Sequence, residues 1–593
     1  MSAVTQWGHH FLQVGEGGST AYRQAMRTCT SQIASLFEQF DAPYSGLAPS
    51  LLREQIARVE LPSSGTGSLD RAIEEAATLI ARHSVVVQHP HCIAHLHTPP
   101  LLSGMAADRF ISAQNQSLDS WDQSGAATYV EQRVSDWLCQ RFGYGETGDG
   151  VFTSGGTQGN IMALLIARDW AVRRISGHDV QRDGLPDYHA RLRIIGSAKS
   201  HFTLSKAAAI LGLGQRAMVT VPSHDDGTMV VEALEQTVKD LEEAGLLPFA
   251  IVGTAGTTDH GAIDDLAAIA GVARRHGAWF HVDAAYGGAL ILGEARSRLS
   301  GIEQADSLIV DFHKLWFQPI SCGAILLKDG KNFRHLLHRA EYLNRETDDL
   351  PNLVDKSISA TRRFDALKVW MTLRSVGADV LGAMVDHLIE QTRTVAALIG
   401  TRPAFELLAQ PGLSTVLFRH LGSAGCVDVD GFNRRLRAGL LKAGVAILGE
   451  TTVKGHAALK MTLLNPCLRT LRPSAAAPGK THVQPRRPEA DQGALCAGER
   501  DQPGGPAHAG LLRRRVARPD VRTRAGGLRE RAAASGRPSL PSRLRAGMPP
   551  VGRVFFGRPH HVRGATGAGR HPVPAGRVAA VARDSLRGRG ELW

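Results

Sequence analysis

Between residues 150 and 330 the chain alternates short β-rich runs with helical stretches, and this rhythm constrains the fold more than any other feature. VFTSGG, RLRIIGS, AMVTVP, FAIVGTAG, AWFHVDAA, SLIVDF and GAILLKD read as strands. NIMALLIARDWAVRR, LSKAAAILGL, VEALEQTVKDLEEAG and LAAIAGVARRHG read as helices. Such alternation predicts an α/β domain, a mostly parallel central sheet with helices on both faces. Its functional groups belong at strand ends, in the crevice that opens there.

The patterning changes on either side. Residues 1–100 hold helical stretches such as AYRQAMRTCTSQIASLFEQF, interrupted by the polar LPSSGTGSLD. The large domain is expected over 101–385 and a smaller C-terminal α+β domain over 386–470. From 471 to 593 there is no Ile, Asn or Tyr and a single Lys, while Arg, Gly, Pro and Ala abound. A stretch without apolar periodicity cannot easily bury a core, so disorder is expected. The missing residue types are those with AT-rich codons. The leading reading is therefore a GC-rich gene read out of frame after about residue 470, and the alternative is a genuine basic tail.

The charge balance follows from that tail. The net charge of +12 suggests a nucleic-acid or anionic-surface binder. Residues 471–593 alone carry 24 Lys+Arg against 8 Asp+Glu, or +16, which leaves −4 on residues 1–470. The tail lacks interleaved aromatics, so no nucleic-acid partner is expected. No apolar run reaches membrane-spanning length, and MSAVTQWGHHFLQVGEGG lacks the basic-then-apolar layout of a signal peptide. A cytoplasmic enzyme is the expectation. The seven cysteines are scattered and form no C-x-x-C pair, which argues against a disulfide framework or a zinc site.

Four segments carry chemistry. In VFTSGGTQGN a strand passes through Gly155 and Gly156 into a helix, where Ser154, Thr157 and the helix N-terminus can donate to a phosphate; such a turn is as often structural. In SAKSHFTLSK, His201 opens a helical stretch and can stack on a flat ring, although a lone His is more often an ordinary polar residue. In AWFHVDAAYGG, Asp283 ends an apolar strand, where a carboxylate needs a partner such as a protonated pyridine nitrogen. Ala284 and Ala285 leave room for a ring. In SLIVDFHKLWFQPISCGAILL, His313 and Lys314 follow another apolar strand, and a Lys placed there reacts, pairs or reaches solvent.

Taken in this order, HVDAAYGG, TAGTTDHGAIDDL, DFHKLWFQP and TRRFDALKVWMTLR resemble the group II pyridoxal-phosphate-dependent amino-acid decarboxylases, over residues 30 to 470 or so. The resemblance implies the fold type I, aspartate-aminotransferase-like architecture and a homodimer. It implies that Lys314 holds pyridoxal 5'-phosphate as a Schiff base, that Asp283 pairs with the pyridine nitrogen and that His201 stacks on the ring. Gly156, Thr157 and His313 would surround the phosphate, Thr254 and Ala285 would contact the ring, and Thr98 would lie near the substrate.

Within that family HPHCIAHLHTPPLL, NQSLDSWDQSGAATYVEQ and EYLNRETDDLPNLVDKS are most similar to the branch acting on L-2,4-diaminobutyrate. The implied product is 1,3-diaminopropane; glutamate, aspartate or an aromatic amino acid are the alternatives, as is an inactive truncated member. A cationic side chain calls for a carboxylate, with Asp311, Asp119 and Asp122 as candidates; local capping is the alternative reading for the latter two. The chain departs from the family at two places. DDLPNLVDKS lacks the tyrosine that aromatic and glutamate decarboxylases carry in a mobile loop, and Tyr342 lies earlier. Lys460 in ALKMTLLNP stands where glutamate decarboxylases carry a carboxylate-binding arginine, and is itself a candidate for that contact. The family's last piece of small domain is expected to be missing.

Overall fold

A computed structural model describes residues 10–468, apart from 62–63, 66, 348 and 423–425. The readings of 471–593, and of the missing end of the small domain, lie outside the described residues.

Seven strands form the large sheet: β1 (Asp149–Thr153), β2 (Leu192–Ser197), β3 (Met218–Val221), β4 (Leu247–Thr254), β5 (Trp279–Asp283), β6 (Ser307–Asp311) and β7 (Gly323–Leu327). They are the seven runs read from the sequence, in the order β1-β7-β6-β5-β4-β2-β3. The neighbours from β6 through β5, β4 and β2 to β3 are parallel, and β7 is antiparallel to both β6 and β1. Only β7 is reversed, so β1 runs with the parallel set. The segments that follow β1, β2, β4, β5 and β6 therefore emerge at one edge of the sheet.

Both faces of this sheet are covered, so its strands are continuous apolar runs. Alternate side chains enter two cores. Phe280, Val282, Leu308 and Val310 join one, and Trp279, Ile309, Ile325 and Leu327 the other. The second core is capped by helix α1 (Gly156–Ser176), which buries Met162, Ala163, Leu164 and Ile166, and by α2 (Thr203–Ile210). The first is capped by α3 (Val231–Glu243) and α4 (Leu266–His276), whose Leu234, Val238, Ile269 and Val272 are fully buried. At ~25 cal/mol per Å² of apolar surface, each such side chain contributes about 1.5–3 kcal/mol of burial.

The small domain is an antiparallel sheet ordered β10-β11-β9-β8, from β8 (Phe405–Ala409), β9 (Thr415–His420), β10 (Gly449–Val453) and β11 (His456–Thr462). Its own core joins Val416, Phe418, Leu459 and Met461 to Ala396, Ile399 and Leu440. The N-terminal part also reaches this sheet, with Ile93 N donating to Ile447 O and Thr462 N to Ile93 O. No helix among the described residues is long and apolar enough to cross a membrane.

Candidate active site

The five segments emerging at the common edge enclose a cavity of about 340 Å³. Ser154, Gly155, Gly156, Thr157, His201, Thr254, Asp283, Ala285, Asp311, His313 and Lys314 all line it.

Glycines make one end. Gly155 has φ 144° and precedes α1, so the first-turn N–H groups of that helix open toward the cavity. A Cβ on Gly155 would stand 3.0 Å from His313 Cε1, and one on Gly156 would stand 3.2 Å from Asp311 Oδ2. His313 Nδ1 lies 2.7 Å from Cys322 O, which orients its ring.

The lysine turn is held rigid by aromatic packing. Phe312, Leu315, Trp316 and Phe317 are buried to 1% exposure or less, and Phe312 stacks on Phe152 with centroids 5.2 Å apart. Lys314 is what this turn presents to the cavity, with Nζ 3.1 Å from Asp311 Oδ2. The TRRFDALK motif braces the same region. Lys368, fully buried, pairs with Asp365 at 2.9 Å and donates to the carbonyls of Pro319 and Ser321, just past the lysine turn. Arg362 bonds Glu131 and the carbonyls of Leu118 and Phe152.

Asp283, 6% exposed, ends β5, the strand beside β6. Its Oδ1 accepts from Ala285 N at 3.2 Å and its Oδ2 from Asn160 Nδ2 at 3.0 Å. His201 Nδ1 lies 2.8 Å from Thr203 Oγ1. Burial lowers its pKa, against the pull of Asp283, so the imidazole is neutral near pH 7. Thr254 is held by its backbone N–H, which donates to Asp264 Oδ2 at 2.8 Å.

Four residues singled out in the sequence do not line this cavity. Thr98 Oγ1 donates to Leu464 O at 3.1 Å. Lys460 Nζ is bonded to Asp259 Oδ1 at 3.0 Å and to Thr258 O at 3.1 Å, and so reaches the site only through Thr258, which lines it. Asp119 accepts from Ser120 N, and Asp122 from Ser120 Oγ. Asp122 lines a second cavity, about 200 Å³, with Trp121, Arg345 and Tyr342, the last 87% exposed. Asn160, Thr203 and His281 escaped the sequence reading. The signal was present: an amide in NIMALLIARDW and a His inside AWFHVD must find partners in their apolar surroundings.

The donor set can hold a flat, phosphorylated, carbonyl-bearing cofactor. A glycine cradle at a helix N-terminus suits the phosphate, the amine of Lys314 suits the carbonyl, and the buried carboxylate of Asp283 suits a protonated ring nitrogen. Among the described residues no cluster of His, Cys, Asp and Glu can hold a metal ion.

Comparison with known proteins agrees with this geometry. Residues 54–421 match the pyridoxal-dependent decarboxylase conserved domain. An L-2,4-diaminobutyrate decarboxylase of Acinetobacter baumannii is 42% identical over 457 residues, covering 75% of this chain and 89% of the relative. The glutamate decarboxylase domain of a diaminobutyrate-pyruvate transaminase and L-2,4-diaminobutyrate decarboxylase from Vibrio parahaemolyticus superposes with a TM-score of 0.74. It is 50% identical and covers 79% of this chain and 96% of that one. An Oryza sativa TDC solved with PLP and tryptamine superposes with a TM-score of 0.70 at 26% identity, covering 76% and 94%. With its fold, its lysine turn and these relatives in agreement, the chain belongs to the pyridoxal-dependent decarboxylases, enzymes that remove carbon dioxide from amino acids with pyridoxal phosphate.

Proposed function

We propose that this chain decarboxylates L-2,4-diaminobutyrate, releasing carbon dioxide and 1,3-diaminopropane. The observation that carries this reading is the 42% identity extending over 89% of the Acinetobacter enzyme of that name.

Bound pyridoxal phosphate supplies an electron sink for the pair left behind when carbon dioxide departs. The protein's own part falls to the residues described. Lys314 would hold the cofactor through Nζ. Asp283, oriented by its bonds to Ala285 N and Asn160, would pair with the ring nitrogen. His201, Thr254 and Ala285 would border the ring, and Gly156, Thr157 and His313 would take the phosphate. The α-carboxylate must stand perpendicular to the ring, and a proton must return to the α-carbon. Lys314 and His201 face the cavity and are able to move that proton.

For the substrate's second ammonium we propose Asp311, which unlike Asp119 and Asp122 lines this cavity. Its Oδ2 is paired with Lys314 at 3.1 Å. Were Lys314 engaged by the cofactor, the buried carboxylate of Asp311 would be free to pair with another cation, such as the second ammonium of a diamino substrate. We also propose that Thr98 and Lys460 serve the substrate side from behind the lining, through Leu464 and Thr258. We further propose that residues 1–100 are an N-terminal helical segment, 101–385 the cofactor-binding large domain and 386–470 the C-terminal small domain. Two chains pair as a homodimer, a reading supported by exposed apolar side chains on the N-terminal helices, among them Ile33, Phe37, Leu51 and Ile56.

The test is carbon dioxide release by purified protein from a panel of amino acids, with and without added pyridoxal phosphate. Preference for L-2,4-diaminobutyrate is expected. Faster turnover of glutamate, aspartate or an aromatic amino acid overturns the substrate, and failure to bind the cofactor overturns the whole reading. An Asp311→Asn variant that keeps the wild-type ratio of rates on diaminobutyrate and neutral amino acids removes Asp311 from its role.

A further inference from the structure

Beneath the cavity floor a line of buried side chains is bonded end to end. Trp279 Nε1 donates to Ser307 Oγ at 2.8 Å, and Ser307 Oγ lies 2.8 Å from His281 Nδ1. His281 Nε2 lies 2.9 Å from Asn160 Oδ1. Asn160 Nδ2 lies 3.0 Å from both Asp283 Oδ2 and Thr203 Oγ1, and Thr203 Oγ1 lies 2.8 Å from His201 Nδ1. Trp279, Ser307, His281, Asn160 and Thr203 are each 1% exposed or less, so bulk water does not complete their bonding.

The direction of each bond is fixed by the groups at its ends. The Asp283 carboxylate only accepts, so the NH₂ of Asn160 must face it; the flipped amide would set oxygen against oxygen. The second N–H of that amide donates to Thr203 Oγ1. The hydroxyl proton of Thr203 then has one acceptor in reach among the described hydrogen bonds, His201 Nδ1. His201 therefore carries its own hydrogen on Nε2. On the other side Asn160 Oδ1 must accept, so His281 donates from Nε2. Its Nδ1 lies 2.8 Å from the Ser307 hydroxyl, itself the acceptor for Trp279, and 3.2 Å from the Ser307 carbonyl. Burial holds His281 neutral, its pKa lowered to about 4.

We propose that Asn160 is a positioning residue whose single amide sets both the orientation of Asp283 and, through Thr203, the Nε2-protonated tautomer of His201. The proposal rests on Asp283 and His201 facing the cofactor, and not on which amino acid is the substrate. Asn160 offers three hydrogen-bonding groups at once, two N–H donors and one carbonyl acceptor, and all three are engaged. An Asp there would set two carboxylates together, and a Leu would leave His281, Asp283 and Thr203 each short of a partner.

The test compares the full-chain holoenzyme with Asn160→Leu, Thr203→Val and Thr203→Ser. Three readouts are taken: the pyridoxal phosphate dissociation constant, the absorption band of bound cofactor, and kcat and KM on the fastest amino acid. Groups acting through such outer bonds typically matter by ~10–100-fold. Asn160→Leu is expected to raise the cofactor dissociation constant by about tenfold or more and to shift the band, because Asp283 loses its anchor. Thr203→Val is expected to leave cofactor binding within about twofold of wild type while lowering kcat about tenfold at little change in KM, with Thr203→Ser restoring it. Wild-type cofactor binding in Asn160→Leu overturns the proposal. So does wild-type kcat in Thr203→Val, or a loss of cofactor affinity there in proportion to kcat, the mark of a merely structural role. If Asn160→Leu fails to fold, the near-isosteric Thr203 pair decides alone. A wild-type chain that binds no cofactor fails earlier, at the functional reading itself, and takes this proposal with it.

Discussion

The two sides of the cavity are held by different physics. The floor, under Asp283 and His201, rests on hydrogen bonds among the buried, uncharged side chains of Trp279, Ser307, His281, Asn160 and Thr203. The side formed by Thr254–Thr258 is backed by the small domain through a charged contact, Lys460 with Asp259 and the Thr258 carbonyl. Thr451 adds a bond to Asp259 Oδ2 at 2.8 Å. The floor is built within the large domain, from β5, β6, α1 and α2, and its buried bonds are little screened by salt. The ion pair requires two domains to meet, and the 39% exposure of the Asp259 side chain leaves it open to screening. Burial opposes ionisation of Asp259, yet Lys460 and Thr451 bring its pKa below the usual carboxylate value. The Asp283 side is thus held by buried bonds within the large domain, and the Thr258 side by a partly exposed ion pair between domains.

The comparison can be broken most forcefully at the lysine. Lys314→Ala is expected to lower kcat by more than about a thousandfold and to abolish the absorption band of covalently held cofactor. Substantial residual turnover would mean that the floor is not where the chemistry lies.

Next in size is the brace behind the lysine turn. Arg362→Met leaves Glu131 buried without its cation, and urea denaturation is expected to show a loss of about 3–5 kcal/mol. A loss below 1 kcal/mol would show that this wall tolerates an unpaired charge and is softer than its packing implies.

The neutrality of the floor has a pH signature. Below the ordinary histidine value of 6.5 the unfolded chain protonates His281, while the folded site resists until about pH 4. The unfolded state therefore binds more protons in that window, and stability falls as pH falls through it. At ~1.4 kcal/mol per pH unit the loss approaches about 3 kcal/mol. A His281→Gln variant should show a shallower slope in denaturation experiments between pH 6.5 and 4. An unchanged slope would show that other groups set the acid limit.

The smallest effect belongs to the small-domain side. Lys460→Met is expected to cost no more than about 1 kcal/mol of stability, because the pair is partly exposed. It should raise KM for the amino acid a fewfold without weakening cofactor binding, and high salt should mimic part of that effect in wild type. A collapse of cofactor affinity instead would make the two sides equivalent.

How much of this was legible in the sequence depended on whether its cause is local. The strands could be read because doubly covered strands are continuous apolar runs, and Lys314 and Asp283 stood out because each puts a charge at the end of one. Asn160 was hidden by its neighbours: NIMALLIARDW looks like an ordinary buried helix, and the amide's partners lie 43, 121 and 123 residues away. Lys460 could be aligned to a role, but not its partner, Asp259, on a loop 201 residues earlier. Side-chain pairs of that separation are fixed by topology, which periodicity does not reveal.

The single reversed strand, β7, has a bearing on how the protein is made. Because the segments after β1, β2, β4, β5 and β6 all open on one edge, the site is composed of pieces spread from Ser154 to Lys314. A ribosome emitting this chain N-terminus first exposes the glycine turn at Gly155 long before Lys314. β7, which wedges between β1 and β6, arrives later still. The cavity can therefore be complete only once about the first 330 residues have emerged, and the pairing of Lys460 with Asp259 follows well over a hundred residues later.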